Sequence, residues 1–278
     1  MKNLIFCVLC VFGLSTVVTA QEEDGFNNDD YLIIEIMNGE KYKGNYVSED
    51  EMEIVIAIFE LGNTTFEKKF IKKIDKIALF QLKDGKYYFE NPLYSKYYIS
   101  ESAISLKEGE AFYQNLQIFI NSFAYGVSDN FTISGGFETI SLFEGEFPGF
   151  YVSPKFTFGE EESDIHFGVG ANLATYQFDE LFGSVYGMTT LGDKNNNITL
   201  GVGFGFIGSD FEETAVFNLS GMTRLSRRFG LVADIFHVSG ETLGGVTLRY
   251  MSENVAFDIG GAFADGGALP LIGVTIKF

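Results

Sequence analysis

The stretch ITLGVGFGF, from Ile198 to Phe206, alternates large apolar residues with glycine and threonine without a break. In a β-strand successive side chains point to opposite faces, so this stretch has one apolar face and one face of small residues. A helix is not expected, because glycine costs about 1 kcal/mol relative to alanine in a helix interior. The sequence therefore predicts a strand whose two faces meet very different surroundings.

The same alternation recurs through the last two thirds of the chain, as in FYVSPKFTF (150–158), IHFGVGANL (165–173) and GVTIKF (273–278). We predict twelve strands: 94–104, 112–126, 130–143, 149–159, 163–176, 182–191, 197–207, 214–225, 228–239, 243–252, 254–262 and 269–278. The strands at 94–104 and 182–191 alternate poorly, so a count of ten stays open. The polar face is too rich in glycine for a solvated outer surface, and it suits a narrow lumen inside an antiparallel transmembrane β-barrel. A soluble exported two-domain β protein is the alternative.

Composition agrees with an all-β chain. The 278 residues include 32 Gly, 30 Phe and 14 Tyr, and the hydrophobic fraction of 46% excludes a disordered acidic polymer. The formal charge is −19. Nucleic acid is not expected as a partner, because the chain lacks the basic patch that phosphate binding requires.

The first 20 residues have the pattern of a secretory signal peptide: Lys2, an apolar run, and Val18-Thr19-Ala20 before a polar segment. Both cysteines, Cys7 and Cys10, lie in this segment. The mature chain is therefore predicted to begin at Gln21 and to have no disulfide and no cysteine ligand for a metal. Residues 21–30 form an acidic tail.

Residues 31–80 have a different pattern, with five short strands joined by tight turns, which predicts a small, closed or half-closed β-barrel domain. Around Asn38 an apolar strand, Asn-Gly-Glu and then Tyr42-Lys43-Gly44 resemble the LSm or SH3-like pattern. We expect this domain in the periplasm and a linker over 81–93, followed by the membrane barrel over 94–278.

The chain ends in Val274, Ile276 and Phe278 at alternate positions. This ending resembles the C-terminal signature of Gram-negative outer-membrane barrels, which the assembly machinery recognises. The whole arrangement is similar to uncharacterised outer-membrane β-barrel proteins. The resemblance implies location in the cell outer membrane, with outer-membrane lipid and the barrel assembly machinery as partners. It does not imply an oligomeric state.

Charged residues of the predicted barrel give a candidate lumen network, in which opposite charges pair and fill the interior. Its predicted members are Glu138, Lys155, Asp164, His166, Arg224, Arg228, Asp234, Arg249 and Asp258. His166 has no second histidine or cysteine near it in sequence, so no metal site is expected. No cofactor is expected either, because Gly201, Gly203 and Gly205 lie inside a strand and no helix follows them.

His237 and Ser239 are the candidates for catalysis, since residues two apart in a strand share a face. This pair resembles the outer-membrane phospholipase A and lipid A deacylase families, in which a histidine activates a serine against a lipid ester. Those families continue with asparagine, whereas this chain has Gly240. The sequence favours a non-enzymatic barrel, either a small-solute pore or a structural or adhesive envelope protein, and leaves a lipid ester hydrolase as the alternative.

Overall fold

The fold is described from a computed structural model, over residues 26, 30–59, 61–77, 82–83, 86–159, 163–176, 178, 180–264 and 267–278. The predicted signal peptide, with Cys7 and Cys10, and most of the predicted acidic tail lie outside these residues. The chain divides into two compact units, and the division falls between residues 85 and 86. No helix among the described residues is long and apolar enough to cross a membrane.

The N-terminal unit contains a five-stranded antiparallel sheet with strand order β4-β3-β2-β1-β5. Its strands are β1 (Tyr31–Ile36), β2 (Lys41–Glu49), β3 (Glu53–Ile58), β4 (Gly62–Glu67) and β5 (Ile71–Ile77), with a 3-10 turn at Lys68–Phe70. Leu32, Ile34, Ile54 and Ile56 form its fully buried core. The alternate apolar residues of β1 and β3 face the same side of the sheet, which explains this core.

The five strands of this unit agree with the sequence prediction, but the closed LSm or SH3-like barrel is not established. The sheet is open in the described residues, with β4 and β5 at its two edges. A bulge between Tyr46 and Ser48 bends β2. A Cβ atom on Gly44 would lie 2.4 Å from the Ala57 carbonyl oxygen, so this position requires glycine.

The C-terminal unit contains a closed barrel of twelve antiparallel strands in the described residues, as predicted. Two-residue strands β6 (Leu82–Lys83) and β7 (Lys86–Tyr87) precede it in the chain. The barrel strands are β8 (Ala111–Leu116), β9 (Ile120–Ser128), β10 (Phe131–Glu138), β11 (Phe150–Phe158), β12 (Ile165–Tyr176), β13 (Glu180–Gly192), β14 (Asn196–Ile207), β15 (Asp210–Arg224), β16 (Phe229–Val238), β17 (Glu241–Met251), β18 (Val255–Ala264) and β19 (Gly267–Lys277). Each strand pairs with the next, and β19 pairs with β8 to close the cylinder. A short helix, α1 (Ile140–Glu144), lies between β10 and β11.

The strand count is right, but two of the predicted strands are wrong. The segment 94–104, predicted as the first strand, is not a strand of the barrel wall. The segment 112–126, predicted as one strand, is two strands, β8 and β9, joined by a turn at Gln117 and Ile118, which both have positive φ. Neither residue type usually marks such a turn, so the alternation on both sides predicts one continuous strand.

The wall of the barrel has the two faces that the alternation predicts. Large apolar side chains point outward, including Phe123, Ile133, Phe156, Phe167, Leu200, Phe217 and Ile259. Hydroxyl side chains point inward and are buried, including Ser122, Thr132, Ser134, Thr190, Thr199, Thr247 and Thr275. An outward apolar surface around a polar interior is the arrangement of a barrel that spans lipid.

Candidate functional site in the barrel lumen

Residues 89–106 lie inside the barrel, and we call this segment the plug. Most of its side chains are buried, including Phe89, Leu93, Tyr94, Tyr97, Tyr98, Ile104 and Leu106. Its polar groups bond to inward side chains of strands all around the cylinder, from β10 to β19. Near its middle the plug forms a hairpin, in which Lys96 bridges Glu101 and the Tyr97 N–H donates to the Ser100 carbonyl at 2.9 Å.

Arg249 on β17 holds one side of the plug. Its Nε lies 2.9 Å from Asp258 Oδ1 on β18, and both residues are completely buried. The other guanidinium nitrogens donate to plug carbonyls: Nη1 to Leu93 at 3.2 Å and to Lys96 at 3.3 Å, and Nη2 to Tyr97 at 2.9 Å. A planar guanidinium can bind a carboxylate and several carbonyls at once, which an ammonium could do less well.

Lys155 on β11 contacts both sides of the hairpin. Its ammonium donates to the carbonyls of Ser102 at 2.9 Å and Ser95 at 3.3 Å, and it lies 3.2 Å from Glu101 Oε2. The other carboxylate oxygen of Glu101 accepts a bond from Ser134 Oγ at 3.3 Å. The charge of Glu101 is therefore paired with the barrel wall.

Asp234 on β16 binds the tip of the hairpin. Its Oδ2 accepts the N–H of Ile99 at 2.7 Å and the N–H of Ser100 at 3.2 Å. Its Oδ1 accepts the hydroxyls of Ser100 and Ser220, and the Ser220 contact is 2.5 Å long. Two backbone N–H groups and two hydroxyls donate hydrogen bonds to this buried carboxylate. These bonds replace the hydrogen bonds to water that the carboxylate loses on burial.

Hydroxyl groups of the wall complete the attachment. The Tyr97 hydroxyl lies 2.6 Å from Thr199 Oγ1, the Ala103 N–H donates to Thr190 Oγ1 at 2.7 Å, and Ser105 Oγ lies 2.8 Å from Thr157 Oγ1. These wall residues are not among the predicted members of the lumen network. Alternation indicates an inward position for Thr157 and Thr199, whereas Thr190 belongs to a predicted strand that alternates poorly.

Ionic contacts fix the plug at the rim where the chain ends. Glu90 pairs with Lys194 at 2.7 Å and with Lys277 at 3.2 Å, and Arg224 Nη1 donates to the Phe89 carbonyl at 2.7 Å. Burial of Glu90 on its own raises its pKa. The charges of Lys194 and Lys277 outweigh burial, so the pKa of Glu90 lies below its ordinary value.

The predicted lumen residues thus differ in whether they contact the plug. Lys155, Asp234 and Arg249 contact the plug directly, Asp258 supports Arg249, and Arg224 contacts the plug at the rim. His166 is buried on the inner face of β12. The other three predicted members have partners elsewhere or lie in a turn.

Glu138, Asp164 and Arg228 lie away from the plug. Glu138 accepts bonds from Ser141 and from the N–H of Gly149, beside helix α1. Asp164 is exposed in the turn before β12. Arg228 is exposed and donates to the Tyr250 hydroxyl at 2.9 Å.

His237 and Ser239 are exposed at a hairpin. His237 Nδ1 lies 2.9 Å from Thr242 Oγ1 on the next strand, and Ser239 is in the turn with φ of 54°. In the part of the chain that the structure describes, no hydrogen bond joins His237 to Ser239. Of the predicted assembly residues, Ile276 and Phe278 point outward and Val274 is half-buried. The described residues contain no cluster of three or more potential metal ligands.

A cavity of about 440 Å³ lies beyond the plug. Lys96 and the hairpin tip, Ile99 to Glu101, line the side of the cavity toward the plug. Its wall includes apolar side chains such as Val216 and Phe236, and polar ones such as Asn172, Asn218 and Tyr151. The volume is within the range of sites that take small molecules.

No protein family matches the sequence, and no curated protein matches it significantly. Among solved structures, the chain is similar to a KdgM porin, with 12% identity and a TM-score of 0.48 over 61% of this chain and 99% of that one. A KdgM porin in complex with disordered oligogalacturonate has 11% identity and a TM-score of 0.46, over 61% and 98%. A Salmonella typhi OmpF complex with daunomycin has 7% identity and a TM-score of 0.35, over 90% and 95%. Likeness at this level does not identify a family or a ligand for this chain.

Proposed function

We propose that this protein is an outer-membrane barrel that passes small solutes and is closed, in the state described, by its plug. One observation carries the proposal. A separate segment of chain, residues 89–106, occupies the lumen and bonds to the wall around it, and many of the wall's inward residues are Gly, Ser and Thr. A purely structural barrel needs no such segment, because large inward side chains of the wall would fill it.

Location in the outer membrane is part of the proposal. The outward apolar face supports it, and so do the strands of up to 15 residues, because a tilted strand needs about 9–11 residues to cross the bilayer. The partners follow from that location: outer-membrane lipid around the wall and the barrel assembly machinery at the C-terminal strand. We place the N-terminal unit in the periplasm, since both ends of an even-numbered barrel lie on one side.

The plug is attached to the wall by hydrogen bonds, which hydrogen bonds to water could replace. A hydrogen bond contributes about 0.5–1.5 kcal/mol net, and one to a charged group about 1.5–3 kcal/mol. The plug is joined to the wall by such bonds and by packing, and by no covalent bond inside the lumen. Movement of the plug away from Asp234 and Lys155 would therefore open a path without unfolding the wall.

A disulfide across the plug and the wall tests this proposal. Ser100 Oγ and Ser220 Oγ are 2.7 Å apart, so Ser100→Cys with Ser220→Cys places two sulfurs within bonding reach. The full chain is inserted into planar bilayers, and single-channel currents are recorded before and after reduction. The single variants Ser100→Cys and Ser220→Cys are the controls.

We expect the unmodified protein and both single variants to show channel openings. The oxidised double variant is expected to show none, and reduction is expected to restore them. Channel openings that persist in the oxidised double variant would contradict the role of the plug. Absence of current in the unmodified protein at all voltages would contradict the pore itself.

A further inference from the structure

The lumen cavity is lined in part by a lysine whose ammonium has no direct partner among the described residues. Lys96 is 9% exposed and lines the cavity beside the hairpin tip. Within the described part of the chain, its ammonium forms neither an ion pair nor a hydrogen bond. A buried ammonium without a partner is costly, because it has lost much of its hydration.

The two carboxylates nearest the hairpin tip are already in use. Glu101 stands opposite Lys96 in the hairpin, but its side chain pairs with Lys155 at 3.2 Å. Asp234 is satisfied by the backbone N–H groups of Ile99 and Ser100 and by hydroxyls. Among the described residues, neither carboxylate forms an ion pair with Lys96, and Lys96 is one of the residues that line the cavity.

The other residues that line the cavity determine which further chemical groups a ligand needs. Apolar side chains, including Ile99, Met188 and Phe236, line part of the cavity, and the amides of Asn172 and Asn218 line another part. A cavity with an apolar wall, a few polar groups and one cation suits a small molecule with one anionic end and an apolar body.

We propose that this cavity is a binding site for a small organic monocarboxylate, whose carboxylate pairs with Lys96 above the plug. This inference rests on the proposed function in that it names the class of solute that reaches the plug. The Lys96 ammonium supplies up to three donors to the carboxylate, and the apolar wall covers the body of the solute. Binding at this place would put the solute in direct contact with the segment that closes the lumen.

Equilibrium binding of 4-fluorobenzoate to the purified full chain, followed by fluorine NMR in detergent, tests the proposal. The neutral 4-fluorobenzamide, which has nearly the same shape, is the matched ligand. Lys96→Met removes the cation and keeps most of the side-chain length. Lys107→Met removes a lysine at the exposed end of the plug region and is the matched control for net charge.

We expect 4-fluorobenzoate to bind at least about tenfold more tightly than the amide, and Lys96→Met to remove that preference. Lys107→Met should retain it. Gly201→Leu offers a second variant that leaves Lys96 in place. An added Cβ would lie 3.5 Å from Asn218 Cβ, 3.6 Å from Asn218 Oδ1 and 3.7 Å from the Gly187 carbonyl oxygen, which are ordinary contacts, and the leucine side chain would occupy part of the cavity. Binding of 4-fluorobenzoate should be lost in this variant.

Equal binding of the carboxylate and the amide would overturn the proposal, as would unchanged binding in Lys96→Met or in Gly201→Leu. Absence of carboxylate binding to the unmodified protein would also overturn it. These outcomes are independent of the channel recordings, because they concern equilibrium binding. A protein that binds the carboxylate but shows no current keeps this inference and loses the proposed function.

Discussion

Arg249 is fully buried and reaches both the barrel wall and the plug. Replacement by methionine would leave Asp258 buried without its cation and would leave the carbonyls of Leu93 and Tyr97 without their donor. Loss of one partner of a buried ion pair costs about 3–5 kcal/mol. We expect Arg249→Met to increase hydrogen exchange at the plug amides, measured by mass spectrometry, while the wall strands keep their protection.

Arg228→Met is the matched control for that experiment, because Arg228 is exposed and its guanidinium donates to the Tyr250 hydroxyl of the wall. Hydrogen exchange at the plug amides of Arg228→Met should equal that of the unmodified protein within error. Equal exchange at the plug in Arg249→Met and Arg228→Met would show that Arg249 does not hold the plug.

Glu90 makes the rim attachment depend on pH. Its pKa is below the ordinary value of 4.5, so the stabilisation from Lys194 and Lys277 is complete above pH 4.5 and is lost as the pH falls through the lowered pKa. We expect plug amides near Glu90 to lose exchange protection below pH 4.5. Glu90→Gln should show weaker protection at neutral pH and a flatter pH profile. An identical profile in the variant would exclude Glu90 as the titrating group.

At the scale of elements, the turn between β8 and β9 stores backbone strain. Ile118 is β-branched, exposed, and has φ of 69°, a conformation that suits asparagine or glycine far better. We expect Ile118→Asn to stabilise the hairpin by about 1 kcal/mol, seen as a higher urea midpoint in detergent. Ile140→Asn, also at an exposed isoleucine but without positive φ, should give no gain. A midpoint that falls in Ile118→Asn would contradict the strained turn.

The wall strands could be predicted from the sequence because each wall residue has one of two surroundings, lipid or lumen. The stretch 198–206 shows this, since Leu200 and Phe204 are exposed outside and Thr199 is buried inside. The plug could not be predicted in this way. A segment inside the lumen packs apolar rings such as Tyr97 and also bonds to a polar wall, so its mixture of residues resembles an imperfect strand.

Only the residues that the barrel wall contributes to the site could be predicted from the sequence. Alternation puts Lys155, Asp234 and Arg249 on the inner face of their strands, and in the structure they bond to the plug. Their partners, however, are mostly backbone carbonyls and N–H groups, which every residue carries. No residue pattern distinguishes a carbonyl that accepts a bond from Arg249 from one that does not.

At the scale of the whole molecule, the barrel unit has two different ends. The rim near Phe278 is closed by the plug and its ionic contacts with Lys194, Arg224 and Lys277. The other end contains the cavity, which the hairpin tip lines on the side toward the plug. Under the proposed function, the plug determines whether these two ends communicate.

Cross-linking of the plug to the inner face of the wall tests this account most directly. Ser105 Oγ and Thr157 Oγ1 are 2.8 Å apart, and the mature chain is predicted to contain no cysteine. We predict that the double variant Ser105→Cys with Thr157→Cys forms a disulfide in membranes. The side chain of Phe158 points outward, so the control variant Ser105→Cys with Phe158→Cys should form none. Failure of the first pair to cross-link, or equal cross-linking of both pairs, would contradict a plug inside the barrel.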